Sequence, residues 1–282
     1  MALPDFVIIG AMKCGTSTLA AQLAVQDGLF MTTPKEPYFF SDDPVYAQGL
    51  DWYESLFADA PPGAVKGEAS THYTKLPTYP DTVPRMRAVL EAPKLVYMVR
   101  DPIDRAVSHL IHEWTEGRMD RDPVAAFDRH PELVEYSLYA KQLAPFIEAY
   151  GLEAICLTSL ERLKADPQGE LTRICAHIAP ALRPVWQEDL GKQNASAERY
   201  RKLPFHGLLV TNPVATALRR ALVPKSVREG IRRARGFGDR PELPPELRAR
   251  LADTFAADQA ELARLFPDIS LTPQRRAAGS VA

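Results

Sequence analysis

The fold is decided by the stretch Phe6-Val-Ile-Ile-Gly-Ala-Met-Lys-Cys-Gly-Thr-Ser-Thr18 and the residues that follow it. Its first five residues are a short apolar run rich in β-branched side chains, which predicts a buried strand of a parallel sheet. Residues Gly10 to Gly15 predict a loop. From Thr16 to Gln26 the apolar residues recur at helical spacing. A strand, a glycine-containing loop and a helix are the first half of a βαβ unit.

The pattern of a buried strand followed by a helix recurs along the chain. A second apolar run, Lys94–Val99, leads into Asp101 and Pro102, which suit the N-cap and the first position of a helix that continues to Trp114. Strands alternating with helices predict an α/β fold: a single P-loop-like domain with a central parallel sheet flanked by helices. The further predicted elements are a strand at Ala154–Thr158 and helices at Tyr139–Tyr150, Leu171–Ile178 and Pro245–Leu265.

Composition excludes several protein classes. The chain has 282 residues, of which 46% are hydrophobic and 25% charged, so disordered, collagen-like and disulfide-scaffold proteins are excluded. No apolar run approaches the ~20 residues that span a bilayer. The first residues show neither a basic region nor a long apolar region, so we expect no signal peptide. Three cysteines without metal-ligand spacing predict reduced thiols and a cytoplasmic location.

Net charge argues against nucleic acid as a partner. Lys and Arg number 34 and Asp and Glu 36, which gives −2. Basic residues are nonetheless concentrated between Arg199 and Arg250, with 13 Lys or Arg against four Asp or Glu. This stretch either faces a polyanionic ligand or forms solvated helix faces, and the sequence leaves both open.

The loop between the first strand and helix has the features of an anion site. Glycines let consecutive N–H groups point to one side, and a helix N-terminus adds about half a positive charge. Lys13 adds a full charge, and Thr16, Ser17 and Thr18 add hydroxyl donors. The loop is not a Walker A motif, because Gly15 is followed by Thr-Ser and the lysine precedes the glycine. The simpler alternative is a plain strand–turn–helix with a helix cap.

A second candidate anion site follows the second strand in Arg100-Asp-Pro-Ile-Asp-Arg-Ala-Val-Ser108. Ligands of α/β proteins bind at the carboxyl ends of parallel strands. Arg100 can bind a phosphate with two hydrogen bonds, and Ser108 lies two helical turns further on. Two such sites on one crevice predict a ligand with two separated phosphates, while an ion pair between Arg100 and a carboxylate is the alternative.

Taken together, these motifs resemble the sulfotransferase family that uses 3′-phosphoadenosine 5′-phosphosulfate (PAPS), and they are most similar to its heparan-sulfate-type and bacterial branch. The likeness runs from about residue 5 to about residue 205. It implies a PAPS-binding core at 1–205 and a basic helical extension at 206–282, packed on the same domain, with a frayed tail after Pro273. Further segments that carry the likeness are Lys35–Phe40, Gly49–Tyr53, Gly67–Tyr73, Tyr139–Phe146 and Leu160–Pro167.

The resemblance implies a donor site in two parts. The 5′-phosphosulfate is expected at Lys13, Cys14, Gly15, Thr16, Ser17 and Thr18, and the 3′-phosphate at Arg100 and Ser108. The branch's late glycine-rich basic loop is not evident, and we expect Asn194, Arg199, Arg201 or Lys202 to replace it. Ala69 stands where members acting on heparan sulfate often have Lys, which weakens the case for heparan sulfate as the acceptor.

The resemblance also implies catalytic roles. We expect Lys13 to stabilise the leaving phosphate and Glu36 to act as the base, with His112, four residues beyond Ser108, as the second candidate. No metal is expected to be required, and a carbohydrate or small bacterial metabolite is the expected acceptor. Trp52, Glu68, His72 and Tyr73 are the candidate acceptor-binding residues. The competing hypotheses are a P-loop kinase using Mg-ATP and a nucleotide-binding module without catalysis.

Two further questions stay open at this point. Cys14 lies at a helix start, where a thiol pKa tends to be lowered, but a small filling residue is the favoured interpretation. Five aromatic residues could line an acceptor pocket: Tyr38, Phe39, Phe40, Trp52 and Tyr53. For Phe39, Phe40 and Trp52, burial in the core is the favoured alternative.

Overall fold

The computed structural model describes residues 2–119, 122–192 and 241–269. Four expected 3′-phosphate ligands, Asn194, Arg199, Arg201 and Lys202, lie outside these residues, as does most of the basic stretch. Within the described ranges, no helix is both long and apolar enough to cross a membrane.

The described residues form a five-stranded sheet in which every strand pair is parallel. The strands are β1 (Phe6–Gly10), β2 (Leu29–Met31), β3 (Val65–Ala69), β4 (Lys94–Val99) and β5 (Ile155–Ser159). Their order is β2-β3-β1-β4-β5, so β1 lies in the centre, and all five of its residues are buried. The predicted α/β fold with a central parallel sheet is therefore confirmed.

Helices connect the strands and cover the sheet. Two predicted helices, Tyr139–Tyr150 and Pro245–Leu265, have the predicted bounds, and the Asp101 carboxylate caps α5 by accepting the N–H of Asp104 at 2.7 Å. The helices are α1 (Thr16–Ala24), α2 (Asp43–Tyr46), α3 (Leu50–Ser55), α4 (Thr82–Val89), α5 (Pro102–Thr115), α6 (Pro123–Arg129), α7 (Glu132–Glu135), α8 (Tyr139–Tyr150), α9 (Leu160–Ala165), α10 (Pro167–Ile178) and α11 (Pro245–Leu265).

Two strands were not predicted from the sequence. β2 has only three residues, and β3 reads Val-Lys-Gly-Glu-Ala, without the apolar run of a buried parallel strand. Gly67 is required in β3 because a Cβ there would lie 2.1 Å from the ring of Phe6. Glu68 is buried in β3 because hydroxyl groups satisfy its carboxylate, and this tertiary arrangement has no signal in the local pattern.

The C-terminal helix α11 packs against α5 and α8. Leu247, Leu251 and Phe255 lie in one buried apolar cluster with Ile103 and Val107 of α5. This contact agrees with a C-terminal part packed on the same domain. The boundary between 1–205 and 206–282 stays a prediction, because residues 193–240 are outside the described ranges.

Candidate active site

A cleft of about 960 Å³ lies at the carboxyl end of the sheet. The segment that follows each of the five strands contributes to it, as expected for an open parallel sheet. The lining side chains include Lys13, Thr16, Ser17, Thr18, Lys35, Glu36, Tyr38, Thr71, His72, Lys75, Arg100, Ser108, His112, Glu113, Arg118, Leu160 and Lys164.

The loop after β1 ends on an uncapped helix. Gly15 begins α1 with a φ of 95°, and no side chain caps the first turn. The Thr18 N–H donates to the Gly15 carbonyl at 3.0 Å, whereas the N–H groups of Thr16 and Ser17 have no acceptor within the helix and can serve a ligand. A Cβ at Gly15 would lie 2.9 Å from Leu160 Cδ1, so both backbone conformation and space require glycine. Lys13 and the hydroxyl residues Thr16 and Ser17 line the cleft beside this turn.

Arg100 joins the two predicted anion motifs. Its Nη1 donates to the carbonyl oxygen of Lys13 at 3.4 Å, so the turns after β1 and β4 are in direct contact. Its Nη2 pairs with Asp104 at 3.3 Å, as the alternative interpretation of this residue expected. The Nε atom is nevertheless buried and, among the described residues, has no hydrogen-bond partner. Arg100 therefore keeps a donor for a ligand in addition to its ion pair.

Glu36 is held in the cleft by several donors. Its carboxylate accepts hydrogen bonds from Lys35, from the Tyr38 hydroxyl and, at 3.1 Å, from Thr71 Oγ1. Burial acts to raise its pKa, but the Lys35 charge and these hydrogen bonds outweigh burial, and the pKa lies below its ordinary value of 4.5. Glu36 is therefore ionised at neutral pH and able to accept a proton.

Backbone conformation marks the same cleft. Among the described residues, the non-glycine residues with positive φ are Lys13 (68°), Glu36 (63°) and Tyr38 (58°). All three line the cleft. Positive φ is unfavourable for L-residues and tends to persist at functional sites, where the surrounding structure enforces it.

The two candidate histidines both reach the cleft. His112 lines it from α5, the helix that also carries Ser108. His72 is stacked between Tyr38 and Tyr79, with ring centroids 3.8 and 4.8 Å away. Burial lowers the pKa of His72 to about 4, so its ring is neutral at pH 7.

A sequence comparison with protein families decides what kind of chain this is. The sulfotransferase domain family matches residues 3–265. The chain belongs to the sulfotransferase family. Among curated proteins it is similar to mouse heparan sulfate glucosamine 3-O-sulfotransferase 3B1, at 33% identity over 188 residues, which are 61% of this chain and 45% of that protein. The chain thus spans about half the length of the curated relatives it matches.

Solved structures support the sulfotransferase fold. A sulfotransferase from Alicyclobacillus acidocaldarius superposes with a TM-score of 0.67 at 22% identity, covering 96% of this chain and 98% of its own. The sulfotransferase domain from the curacin biosynthetic pathway superposes with a TM-score of 0.50 at 16% identity, covering 91% and 99%.

Several predicted site residues of this sulfotransferase-family chain do not line the cleft. Cys14 is fully buried and lies 3.7 Å from the Tyr139 hydroxyl, and burial raises the pKa of its thiol to about 11 instead of lowering it. This burial agrees with the filling role, and the Cys14 side chain does not line the cleft. Phe39 and Phe40 are buried in the core and Trp52 packs against it, which confirms the core interpretation of these three residues. Tyr53 is buried in the core as well, and of the five aromatic residues only Tyr38 lines the cleft.

Glu68 and Tyr73 were expected to bind the acceptor, but both are buried and neither lines the cleft. The Glu68 carboxylate accepts hydrogen bonds from the hydroxyl groups of Tyr53 at 2.5 Å, Tyr73 at 2.9 Å and Ser70 at 2.9 Å. These bonds occupy it within the core of the protein. Burial outweighs them and raises its pKa to about 7.

Four charged cleft residues were missed by sequence reasoning: Lys75, Glu113, Arg118 and Lys164. Lys75 follows the turn after β3, a strand that the sequence did not reveal. Arg118 lies beyond α5 and is fixed there by Glu113, which also contacts His109 at 3.5 Å. Counting only described lining residues, six Lys or Arg face two Glu, so the cleft is strongly cationic. The described ranges contain no cluster of three or more His, Cys, Asp or Glu with metal-ligand geometry.

Proposed function

We propose that this chain transfers a sulfuryl group from PAPS to a hydroxyl group of an acceptor. The observation that supports this most is that Lys13, Arg100 and Glu36, which follow three different strands, line one cationic cleft. Family membership provides the reaction class, and the cleft brings together the candidate anion-binding loop, the candidate second anion site and an ionised carboxylate.

The donor fits the described residues. Lys13 and the first turn of α1 offer one charge and several donors for the 5′-phosphosulfate. Arg100, whose buried Nε has no described partner, and Ser108 offer a second site for the 3′-phosphate. An unpaired donor in a buried guanidinium is costly, so a ligand anion there would stabilise the site.

When bound, PAPS supplies a sulfuryl group that leaves the 5′-phosphate oxygen as the acceptor oxygen bonds to sulfur. Lys13 places its charge at the loop that would hold this phosphate, where negative charge develops. Glu36 accepts the proton of the acceptor hydroxyl, and Tyr38, Thr71 and Lys35 hold its carboxylate in place. His112 is the second candidate for this base.

The acceptor is proposed only by class, as a carbohydrate or a small metabolite with a free hydroxyl. The similar mouse protein is a heparan sulfate sulfotransferase, but Ala69 stands where members acting on that polymer often have Lys. A screen of hydroxyl acceptors with radiolabelled PAPS, followed by mass spectrometry of the product, would identify the acceptor.

The direct test measures thermal stability with nucleotides. We expect 3′-phosphoadenosine 5′-phosphate (PAP) to raise the melting temperature in EDTA, and Arg100→Ala to weaken this rise. Lys141→Ala, an exposed lysine paired with Glu135, is the control and should respond like the wild type. Stabilisation by Mg-ATP but not by PAP would instead support the kinase hypothesis.

A further inference from the structure

Lys75 is a buried cation that the proposed donor site does not use. Its residue is only 9% exposed, yet it lines the cleft. It is placed there by the 3₁₀ turn Thr71–Thr74, which follows β3 and also carries Thr71 and His72 to the cleft.

The Lys75 ammonium lacks an anionic partner in the described part of the chain. Its described contact is with the ring of Tyr136, whose centroid lies 5.7 Å from Nζ. Within residues 2–119, 122–192 and 241–269, no carboxylate lies within ion-pair distance of it. A buried charge is unfavourable unless it is paired, so this arrangement is unusual for a residue with only a structural role.

Both carboxylates of the cleft are already engaged by other groups. Glu36 accepts from Lys35, Tyr38 and Thr71. Glu113 contacts Arg118 and His109. Among the residues that the structure describes, no carboxylate thus remains to pair with Lys75, and a ligand anion would supply the missing partner.

The turn that carries Lys75 contacts the candidate base. Lys75 directly follows the 3₁₀ turn Thr71–Thr74, in which Thr71 Oγ1 donates to the Glu36 carboxylate at 3.1 Å. In the same turn His72 stacks on Tyr38, with ring centroids 3.8 Å apart. Burial lowers the pKa of Lys75 to about 8, and the charges of Glu36 and Glu113 act in the opposite direction. Lys75 therefore lies beside Glu36, where the proposed reaction places the acceptor.

We propose that Lys75 binds an anionic substituent of the acceptor, such as a carboxylate or a sulfate, and so selects acceptors that carry one near the reacting hydroxyl. The acceptor part of this inference rests on the function proposed above. Arg118, fixed by Glu113 on the same cleft, adds a second positive charge for the same substituent. The Tyr136 ring, whose centroid lies 5.7 Å from Lys75 Nζ, contributes a cation–π contact to the Lys75 side chain.

The test compares two ligands that differ only at C6, methyl β-D-glucuronide with a carboxylate there and methyl β-D-glucoside with a neutral hydroxymethyl group, and adds inorganic sulfate as a third. Each is titrated into the full chain saturated with PAP, and the melting temperature is measured at constant ionic strength. The variants are Lys75→Met, which removes the charge at similar volume, and Lys75→Arg, which keeps it. Lys141→Met is the matched control on an exposed lysine.

We expect the wild type to respond to the glucuronide and not to the glucoside, and Lys75→Met to weaken the apparent glucuronide affinity by roughly tenfold, the value of one charged hydrogen bond. Lys75→Arg should retain most of the response. Equal responses in wild type and Lys75→Met, or no difference between glucuronide and glucoside in the wild type, would overturn the proposal.

Two other outcomes distinguish acceptor binding by Lys75 from a role toward the transferred sulfuryl group and from the proposed function itself. If Lys75→Met loses the response to sulfate but keeps that to the glucuronide, Lys75 serves the transferred sulfuryl group and the acceptor assignment is wrong. PAP alone is also titrated, and the ligand titrations are repeated without PAP. If PAP does not raise the melting temperature, the proposed function is contradicted. The response to the glucuronide, with or without PAP, decides the role of Lys75.

Discussion

Lys13, Glu36 and Tyr38 combine reactive or polar side chains with an unfavourable backbone conformation, and each faces the same cleft. The turns at these residues therefore serve the site more than they serve local stability. Lys13 and Glu36 are also the two residues whose side chains the proposed reaction needs most, one for charge on the leaving phosphate and one for the acceptor proton.

Lys13→Ala is expected to lower the rate of sulfuryl transfer by about 10²–10³, because one preorganised donor to the developing negative charge is lost. Initial rates with radiolabelled PAPS measure this effect. Lys141→Ala should behave like the wild type, since Lys141 lies outside the cleft. A Lys13→Ala variant with full activity would remove the role assigned to Lys13.

Glu36→Gln is expected to lower turnover by about 10²–10⁴ while PAP still raises the melting temperature, because a proton acceptor is lost and the donor site is intact. Glu91→Gln, on an exposed carboxylate, is the control. Loss of the PAP response in Glu36→Gln would place Glu36 in the donor site instead.

The pH dependence of the wild type separates the two candidate bases. Since the pKa of Glu36 lies below 4.5, its carboxylate stays ionised as the pH falls from 8 to ~5.5, and kcat/KM should not fall on its account. A histidine base would lose activity through the range near pH ~6.5 where imidazoles ordinarily titrate. A loss centred there would favour His112.

At the scale of elements, helix α11 provides the N-terminal cap of helix α8. The N-cap position of α8, Leu138, has no capping side chain, and the carboxylate of Asp258 in α11 accepts the N–H groups of Ala140 at 3.1 Å and Lys141 at 2.9 Å. A helix N-cap is ordinarily the residue just before the helix, but here the capping residue lies 118 positions further along the chain. The start of α8 therefore depends on the docking of α11.

Asp258→Ala is expected to destabilise the protein by about 1–2 kcal/mol, the value of a lost helix cap. Urea unfolding at pH 7 gives the free energy of unfolding. Asp258→Asn keeps one acceptor oxygen and should lose less. Glu261→Ala, on the exposed face of the same helix, is the control and should leave stability unchanged; equal losses in Asp258→Ala and Glu261→Ala would contradict the cap.

Some helices and strands could be predicted from the local sequence pattern, and others could not. Strand β4 and the start of α5 were predicted to the residue, because a run of buried apolar residues ends in Asp101-Pro102, which carries a cap and a first helical residue. Strand β3 was missed, because its buried Glu68 and close-packed Gly67 make sense only beside Tyr53, Tyr73 and Phe6.

At the scale of the whole molecule, the buried Glu68 links stability to pH. Its pKa rises from 4.5 in the unfolded chain to about 7 in the folded protein, so between these values the folded state holds more protons. Its contribution is fully present below pH 4.5 and is lost as the pH rises to about 7. The loss amounts to ~3 kcal/mol as an upper bound.

Unfolding of the wild type and Glu68→Gln in urea between pH 5 and 8 tests this contribution. The stability of the wild type relative to Glu68→Gln should fall as the pH rises through this range, and Glu91→Gln should show no such trend. A constant difference between wild type and Glu68→Gln would mean that Glu68 does not change its pKa on folding.

Short-range patterns in the sequence (apolar runs, glycines and helix starts) were enough to predict the parallel α/β architecture and the candidate anion-binding turns at Lys13 and Arg100. The candidate base Glu36 was named from the resemblance to the sulfotransferase family. Only the tertiary structure decided that Cys14, Glu68 and Tyr73 are buried and that Lys75 and Arg118 face the cleft. The strand order β2-β3-β1-β4-β5 brings together the ends of segments far apart in the chain, and burial depends on that three-dimensional arrangement, which no local pattern contains.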